Sequence, residues 1–283
     1  MSKNLQVEGF PKKFPCGEVF VRSSKDLVRC NTSNANGEIW IDKQIQNSDD
    51  IMEILMLNDA LRRLGSKNVC LRIPYVPYSR QDRVMTEGES LSIKVFADLI
   101  NSCNFSIVEI WDPHSDVTTA LLNNVKVIDQ SVCLGKLVYS AKTRVYDKVK
   151  DFILVSPDAG ARKKILSVAK YFGIEKVLYA DKVREVSTGK ILRTELNIGT
   201  FEGNHFLIVD DICDGGMTFI ELAKAIIKQV PPTGNAYLHL HVTHGFFTKG
   251  LDELCQYFSS ITCTNLMNDE LSRDPHIFAF YKG

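Results

Sequence analysis

The chain alternates between apolar residues at helical spacing and short unbroken apolar runs. Residues 48–65, SDDIMEILMLNDALRRLG, place Ile51, Ile54, Leu55, Leu57, Leu61 and Leu64 at helical intervals, behind a Ser48-Asp49 start signal and ahead of Gly65. That spacing predicts an amphipathic helix with a glycine stop. The run NVCLRIP predicts a strand, ESLSIKVFADLINS a second helix, and SIVEIWDPH a strand that ends on polar residues. The second half repeats the rhythm: strand DFILVSP, helix ARKKILSVAKYFG, strands KVLYADK and HFLIVDD, helix MTFIELAKAIIKQV and strand NAYLHLHVTHG. HIFAFY, near the C-terminus, reads as a last strand or a docking segment. Short buried strands between helices predict an α/β fold with mainly parallel sheets flanked by helices.

At 283 residues and 45% hydrophobic content, the chain has enough apolar surface for two cores, so two domains are expected. The rhythm breaks between residues 136 and 146, which divides the chain into 1–139 and 140–283. Lys+Arg and Asp+Glu both number 34, a balance that gives no general attraction to nucleic acid or to a membrane surface. The eight cysteines include no C-x-x-C pair, the N-terminal residues lack an apolar signal-peptide core, and no run reaches transmembrane length. A cytoplasmic protein with reduced thiols is expected.

In open α/β sheets, ligands gather beyond the carboxyl ends of the strands. After the run FLIV come Asp210, Asp211, Ile212, Cys213, Asp214, Gly215, Gly216, Met217 and Thr218. A helix starting near Met217 would aim free N–H groups and its positive dipole end into this turn, which suits a phosphate. Carboxylates repel phosphate, so the acidic pair must face hydroxyls or a metal, and a sugar phosphate offers both kinds of partner. The same residues also suit a simpler arrangement, with Asp214 capping the helix beside a solvated acidic pair. His239 and His241 alternate on one strand face with His244 just beyond; no Cys or carboxylate accompanies them at ligand spacing, so they read as packing residues.

The stretch FLIVDDICDGGMT resembles the PRPP-binding motif of type I phosphoribosyltransferases. IPYVPYSRQDRVMTEGESLSIKVFADLIN is similar to the ATP-binding segment of the ribose-phosphate pyrophosphokinase family, IWDPHSD to its metal-binding strand end, VSPDAGARKK to its ribose 5-phosphate and metal segment, and YADKVRE to the start of its catalytic loop. The resemblance implies two tandem phosphoribosyltransferase-like domains, the N-terminal one with the ATP-binding segment and the C-terminal one with the sugar-phosphate and catalytic loops. It also implies the substrates ATP and ribose 5-phosphate, Mg2+ as cofactor, and a dimer-based homo-oligomer of up to six subunits, with part of the ATP site supplied by a neighbour. Carried over by residue, Phe14, Glu18, Arg80, Gln81, Asp82 and Arg83 would bind ATP, and His114 and Asp158 would hold Mg2+ or its water shell. Asp210 and Asp211 would take the ribose hydroxyls, the turn Asp214, Gly215, Gly216, Met217 and Thr218 the 5-phosphate, and Lys182 and Arg184 the charge on the transferring group.

The chain departs from the family pattern at several positions. Cys16 stands where the family has an Asp that helps read adenine, the phosphate turn lacks a hydroxyl and carries Met217 where Gly is common, and FPCGEVFV follows only a short leader. Three functions fit the resemblance: an active pyrophosphokinase, a non-catalytic regulatory homologue that keeps the fold, and a phosphoribosyltransferase that consumes PRPP. The segment SRQDR and the tandem domains weigh against the third.

Overall fold

The computed structural model describes residues 12–22, 37–139, 149–184, 191–196, 203–230 and 236–282; for 12, 181–184, 191–195 and 282 it describes the backbone alone. The chain forms two units, Met1–Ile128 and Asp129–Gly283.

In the first unit, β1 (Lys12–Lys13) and β2 (Val19–Phe20) form an antiparallel hairpin. Four parallel strands follow in sequential order: β3 (Glu38–Asp42), β4 (Asn68–Arg72), β5 (Val108–Trp111) and β6 (Val125–Ile128). The predicted first helix is present as α1 (Ser48–Arg63), but its cap is Asn47 rather than Ser48. The Asn47 Oδ1 accepts from the amides of Asp49 and Asp50, and the Asp50 carboxylate accepts in return from the Asn47 amide, satisfying N–H groups that the helix itself cannot pair. Gly65, at φ +93°, follows the helix in a conformation costly for any other residue. Helices α2 (Ser92–Ser102) and α3 (Asp116–Leu121) complete the unit. Ile39, Ile41, Val69, Leu71, Val108 and Ile110 point to one face of the sheet, where they pack with Ile51, Ile54, Leu57 and Leu61 of α1 and Ile93, Phe96 and Ile100 of α2.

The alternate positions carry charge. Asp42, Arg72, Glu109 and Lys126 stand in register across β3 to β6 as a row of alternating sign. Arg72 donates to Asp42 at 2.9 Å and to Glu109 at 2.7 Å, and Lys126 donates to Glu109 at 2.9 Å. Burial pushes the Glu109 carboxyl up, but Lys126 and Arg72 together outweigh it and hold the group below the usual range.

The second unit is wound on both faces. Its sheet runs β13 (Ile277–Lys282), β12 (Ser260–Leu266), β11 (Tyr237–Gly245), β10 (His205–Cys213), β7 (Ile153–Ser156), β8 (Val177–Arg184), β9 (Ile191–Leu196), all parallel except the β8/β9 pair. HIFAFY thus becomes an edge strand. Phe206 and Ile208 of β10 face Phe219, Ile220, Leu222, Ala223 and Ile226 of α6 (Met217–Gln229). Leu207 and Val209 face the other side, with Leu134 and Leu137 of α4 (Gln130–Val138) and Ile165 and Val168 of α5 (Arg162–Phe172). A strand buried on both faces has to be apolar throughout, which explains the unbroken run FLIV. From β7 the chain leaves through α5 to β8 on one side, whereas β10 lies on the other. The carboxyl ends of β7 and β10 therefore flank a topological switch point, where an α/β sheet opens a crevice for ligand.

Candidate active site

The polar residues after β7 and at the end of β10 meet at that switch point. Asp211 is buried, and its amide donates to the Asp210 carboxylate at 2.9 Å. Lys164, from the first turn of α5, places its ammonium 3.6 Å from Asp211. Asp158 lies two residues beyond β7, where its carboxylate accepts from the Ala161 amide at 3.1 Å and so shapes the turn into α5. The Asp210 carboxyl is raised well above the ordinary range, first by burial and then by the negative charges of Asp211 and Asp158. Like charges held this close disfavour one another's ionisation, and a cation or a set of hydroxyl donors would relieve the repulsion.

The turn between β10 and α6 is shaped by glycine. Gly216 sits at φ +81° as the N-cap of α6, and a β-carbon there would stand 3.3 Å from Leu254, so the position needs glycine for both conformation and space. As a glycine, this N-cap has no side chain to offer the helix end. Asp214 accepts from the Thr248 hydroxyl at 2.8 Å, which ties its carboxylate to the neighbouring loop. A helix end of this kind directs the positive end of its dipole toward the turn, which suits an anionic ligand. Met217 is exposed at the mouth of this turn.

The backbones of Lys182 and Arg184 lie on β8, paired antiparallel to Thr194 and Ile191 of β9; their side chains fall outside the described part of the structure. The predicted loop start is therefore the outgoing arm of a hairpin.

In the first unit, the segment SRQDR follows β4. Asp82 is buried, and Arg83 clamps it through Nε at 2.9 Å and Nη2 at 3.4 Å while keeping most of its own side chain in solvent. This contact holds the Asp82 carboxyl below its usual range against burial, with a further pull from His114. Asp82, Arg83 and His114 thus come together beyond β4 and β5, with Arg80 and Gln81 exposed beside them. Phe14 and Glu18 close the β1–β2 hairpin, where the Phe14 amide donates to the Glu18 carbonyl at 2.8 Å and the Phe14 ring stays exposed. Tyr78 (φ 63°), Asp112 (φ 40°) and Phe247 (φ 46°) adopt left-handed backbone conformations without being glycine. All three lie beyond the carboxyl ends of strands, and strain of this kind concentrates at ligand sites.

Other residues are structural. His239, His241 and His244 are buried. His239 bonds Ser260 at 2.8 Å and His241 bonds Thr262 at 3.1 Å, which agrees with the packing role read from the sequence. Among the described residues, no three His, Cys, Asp or Glu side chains are grouped to hold a metal ion unaided, and no helix is long and apolar enough to cross a membrane. Three contributions went unseen in the sequence: the pairing of Lys164 with Asp211, the charge row of the first sheet and Lys249, whose stem lies against Gly215. Each depends on register or loop packing rather than on local spacing.

A family model, the N-terminal domain of ribose phosphate pyrophosphokinase, matches residues 12–103. The ribose-phosphate pyrophosphokinase of Thermococcus kodakarensis is 28% identical over 279 residues, covering 96% of this chain and 89% of that protein. Its counterpart in Pyrococcus abyssi is also 28% identical, covering 93% and 85%, and that of Mycoplasmopsis pulmonis is 29% identical, covering 92% and 77%. The crystal structure of phosphoribosylpyrophosphate synthetase from Mycobacterium smegmatis superimposes with a TM-score of 0.75 at 19% identity, over 98% of this chain and 86% of that one, which shows a shared fold. By sequence along nearly its whole length, the chain is similar to ribose-phosphate pyrophosphokinases.

Proposed function

We propose that the protein is a ribose-phosphate pyrophosphokinase, which moves the pyrophosphoryl group of ATP onto the C1 hydroxyl of ribose 5-phosphate to give PRPP and AMP. The observation that carries this reading is the switch point between β7 and β10, where Asp158, Asp210 and Asp211 lie close together ahead of the N-terminus of α6, whose N-cap is Gly216. Acid there suits the sugar hydroxyls, and the helix end suits the sugar's phosphate.

In this reading Asp210 and Asp211 orient the ribose, so that its C1 hydroxyl can attack the β-phosphorus of ATP. The turn from Asp214 to Thr218 anchors the 5-phosphate. Arg80, Gln81 and Arg83, together with Phe14 and Glu18, form the nucleotide side, and Asp82 serves it by fixing Arg83. Lys182 and Arg184 stabilise charge that builds on the phosphoryl oxygens as AMP leaves. Mg2+ is a hard cation that takes oxygen ligands and usually keeps several waters and substrate phosphates in its shell, so one or two protein ligands suffice for it. In the second unit Asp158, and in the first unit His114 through a water, would each hold such an ion, and its chemistry when bound is to neutralise phosphate charge. The seven free cysteines among the described residues support a reducing, cytoplasmic setting. A homo-oligomer in which a neighbouring subunit completes the ATP site belongs to the same reading.

The test is to incubate the protein with MgATP and ribose 5-phosphate and to quantify nucleotide and sugar products. AMP and PRPP in equal amounts, formed only when both substrates and Mg2+ are present, is the expected result. Release of ADP would rule out pyrophosphoryl transfer, and binding of both substrates without turnover would identify a regulatory homologue.

A further inference from the structure

The loop after β11 is tied to the turn that leads into α6. The amides of Phe246 and Phe247 donate to the Cys213 carbonyl at 2.9 and 3.1 Å, and the Thr248 amide donates to the Asp214 carbonyl at 3.0 Å. The Thr248 hydroxyl adds its 2.8 Å bond to the Asp214 carboxylate. Gly245 keeps the loop closed, because a β-carbon there would fall 2.2 Å from the Phe247 ring. These contacts fix where the next residue goes. A β-carbon placed on Gly215 would stand 3.5 Å from Lys249 Cε, 3.6 Å from Cδ and 3.9 Å from Cγ, so the lysine stem runs across the face of the turn that glycine leaves open.

The turn needs a positive charge for the role assigned to it. Residues 214–218 include one carboxylate, Asp214, and no cation, and Asp210 and Asp211 lie just before them. The partial charge at a helix end is equivalent to roughly half an elementary charge, less than a phosphate dianion carries. The Lys249 ammonium lies one bond beyond Cε, and no carboxylate pairs with it among the described residues. Its stem packs on the protein while its head reaches solvent, which suits an anion contact that forms only when ligand arrives.

We propose that Lys249 is a phosphate-anchoring residue, giving the 5-phosphate of the sugar its side-chain cation. The inference rests on the reading that this crevice takes a sugar phosphate, but it does not depend on turnover.

The test compares Lys249→Met, which keeps the stem and removes the charge, with Lys249→Arg, using calorimetric binding of ribose 5-phosphate and of unphosphorylated ribose in the absence of ATP, followed by steady-state kinetics. A charge-assisted hydrogen bond contributes about 1.5–3 kcal/mol, so Lys249→Met should weaken ribose 5-phosphate about 10- to 100-fold. Ribose should bind both proteins alike, Lys249→Arg should recover most of the loss, and the kinetic defect should fall on KM for the sugar far more than on KM for ATP. Unchanged affinity for ribose 5-phosphate in Lys249→Met, or equal weakening of ribose, would overturn the proposal. A wild-type protein that binds ribose 5-phosphate but forms no AMP would defeat the proposed activity and still leave the binding comparison to decide the role of Lys249.

Discussion

The Lys164 ammonium lies 3.6 Å from the Asp211 carboxylate and links the first turn of α5 to the end of β10. Asp211 is buried and adjoins a second carboxyl, so a nearby cation offsets part of the cost of negative charge there. Lys164→Met should remove one positive charge from beside Asp211 and raise KM for ribose 5-phosphate by about 3- to 30-fold, the range of one partly solvated charge contact. Lys164→Arg should recover most of it, since charge rather than shape is at issue. Steady-state kinetics with each substrate varied in turn decides the matter, and an unaltered sugar KM in Lys164→Met would exclude this role.

Asp210 shows a cost in stability that accompanies binding. Its carboxyl is raised in the folded protein, first by burial and then by Asp211 and Asp158, so the folded state holds this proton more tightly than the unfolded chain does. As pH climbs above the ordinary value of 3.8, the unfolded chain ionises first and stability is lost. In EDTA at neutral pH, Asp210→Asn should therefore be the more stable protein, by about 2–4 °C in Tm if relief of one like-charge contact is worth roughly 1 kcal/mol. The gain should shrink as pH falls toward 3.8, and added Mg2+ should stabilise wild type more than the variant. Thermal melts across pH with and without Mg2+ read both effects; a variant less stable than wild type at neutral pH in EDTA would contradict them.

What the sequence disclosed and what it hid have separate physical causes. Runs such as FLIV and ILVS were legible because strands covered on both faces must be apolar throughout. The acidic pair was legible because polar residues interrupt such a run only where it reaches the ligand edge. Its exact setting was not: β10 continues through Asp210 to Cys213, since its backbone still pairs with β11 as far as Gly245. The cap moved from Ser48 to Asn47 because the Asn side chain reaches two amides of the first turn at once. Strands β3 and β12 were not singled out, and the row Asp42–Arg72–Glu109–Lys126 joins residues distant in sequence that only strand register aligns. Lys249 likewise reaches Gly215 only through the loop bonds around Thr248.

Lys182 and Arg184 follow the resemblance rather than a described side-chain contact, and their test is kinetic. If both serve charge that develops as AMP departs, Lys182→Ala should lower kcat by roughly two to four orders of magnitude while binding of ATP and ribose 5-phosphate shifts only slightly. Arg184→Ala should do the same, and the double variant should lose less than the product of the two single effects, because both cations face one charge. Rapid-quench measurement of AMP formation with independently measured substrate binding separates the two quantities. Lys182→Ala turning over at the wild-type rate would remove this residue from the reaction.

Below neutral pH, the buried histidines of β11 act against stability, opposite in sign to Asp210. Burial, with the neighbouring His205, brings His239 down from 6.5 to about 4, and burial alone brings His241 down to about 3. Both are neutral in either state above about 6.5, so their packing counts in full there. As pH falls below 6.5 the unfolded chain takes up protons that the folded protein refuses, and stability drains away until the folded values near 4 and 3 are reached. Each unit of pH in that window costs on the order of 1.4 kcal/mol per histidine, discounted for whatever solvent reaches His239. Urea midpoints should therefore fall from pH 7 to pH 5 in wild type. His241→Asn, which keeps a polar partner for Thr262, should start lower at pH 7 but fall less steeply, because one of the two refusing groups is gone. Adding His239→Gln should flatten the slope further, and parallel slopes for wild type and the double variant would show that acid destabilisation arises elsewhere.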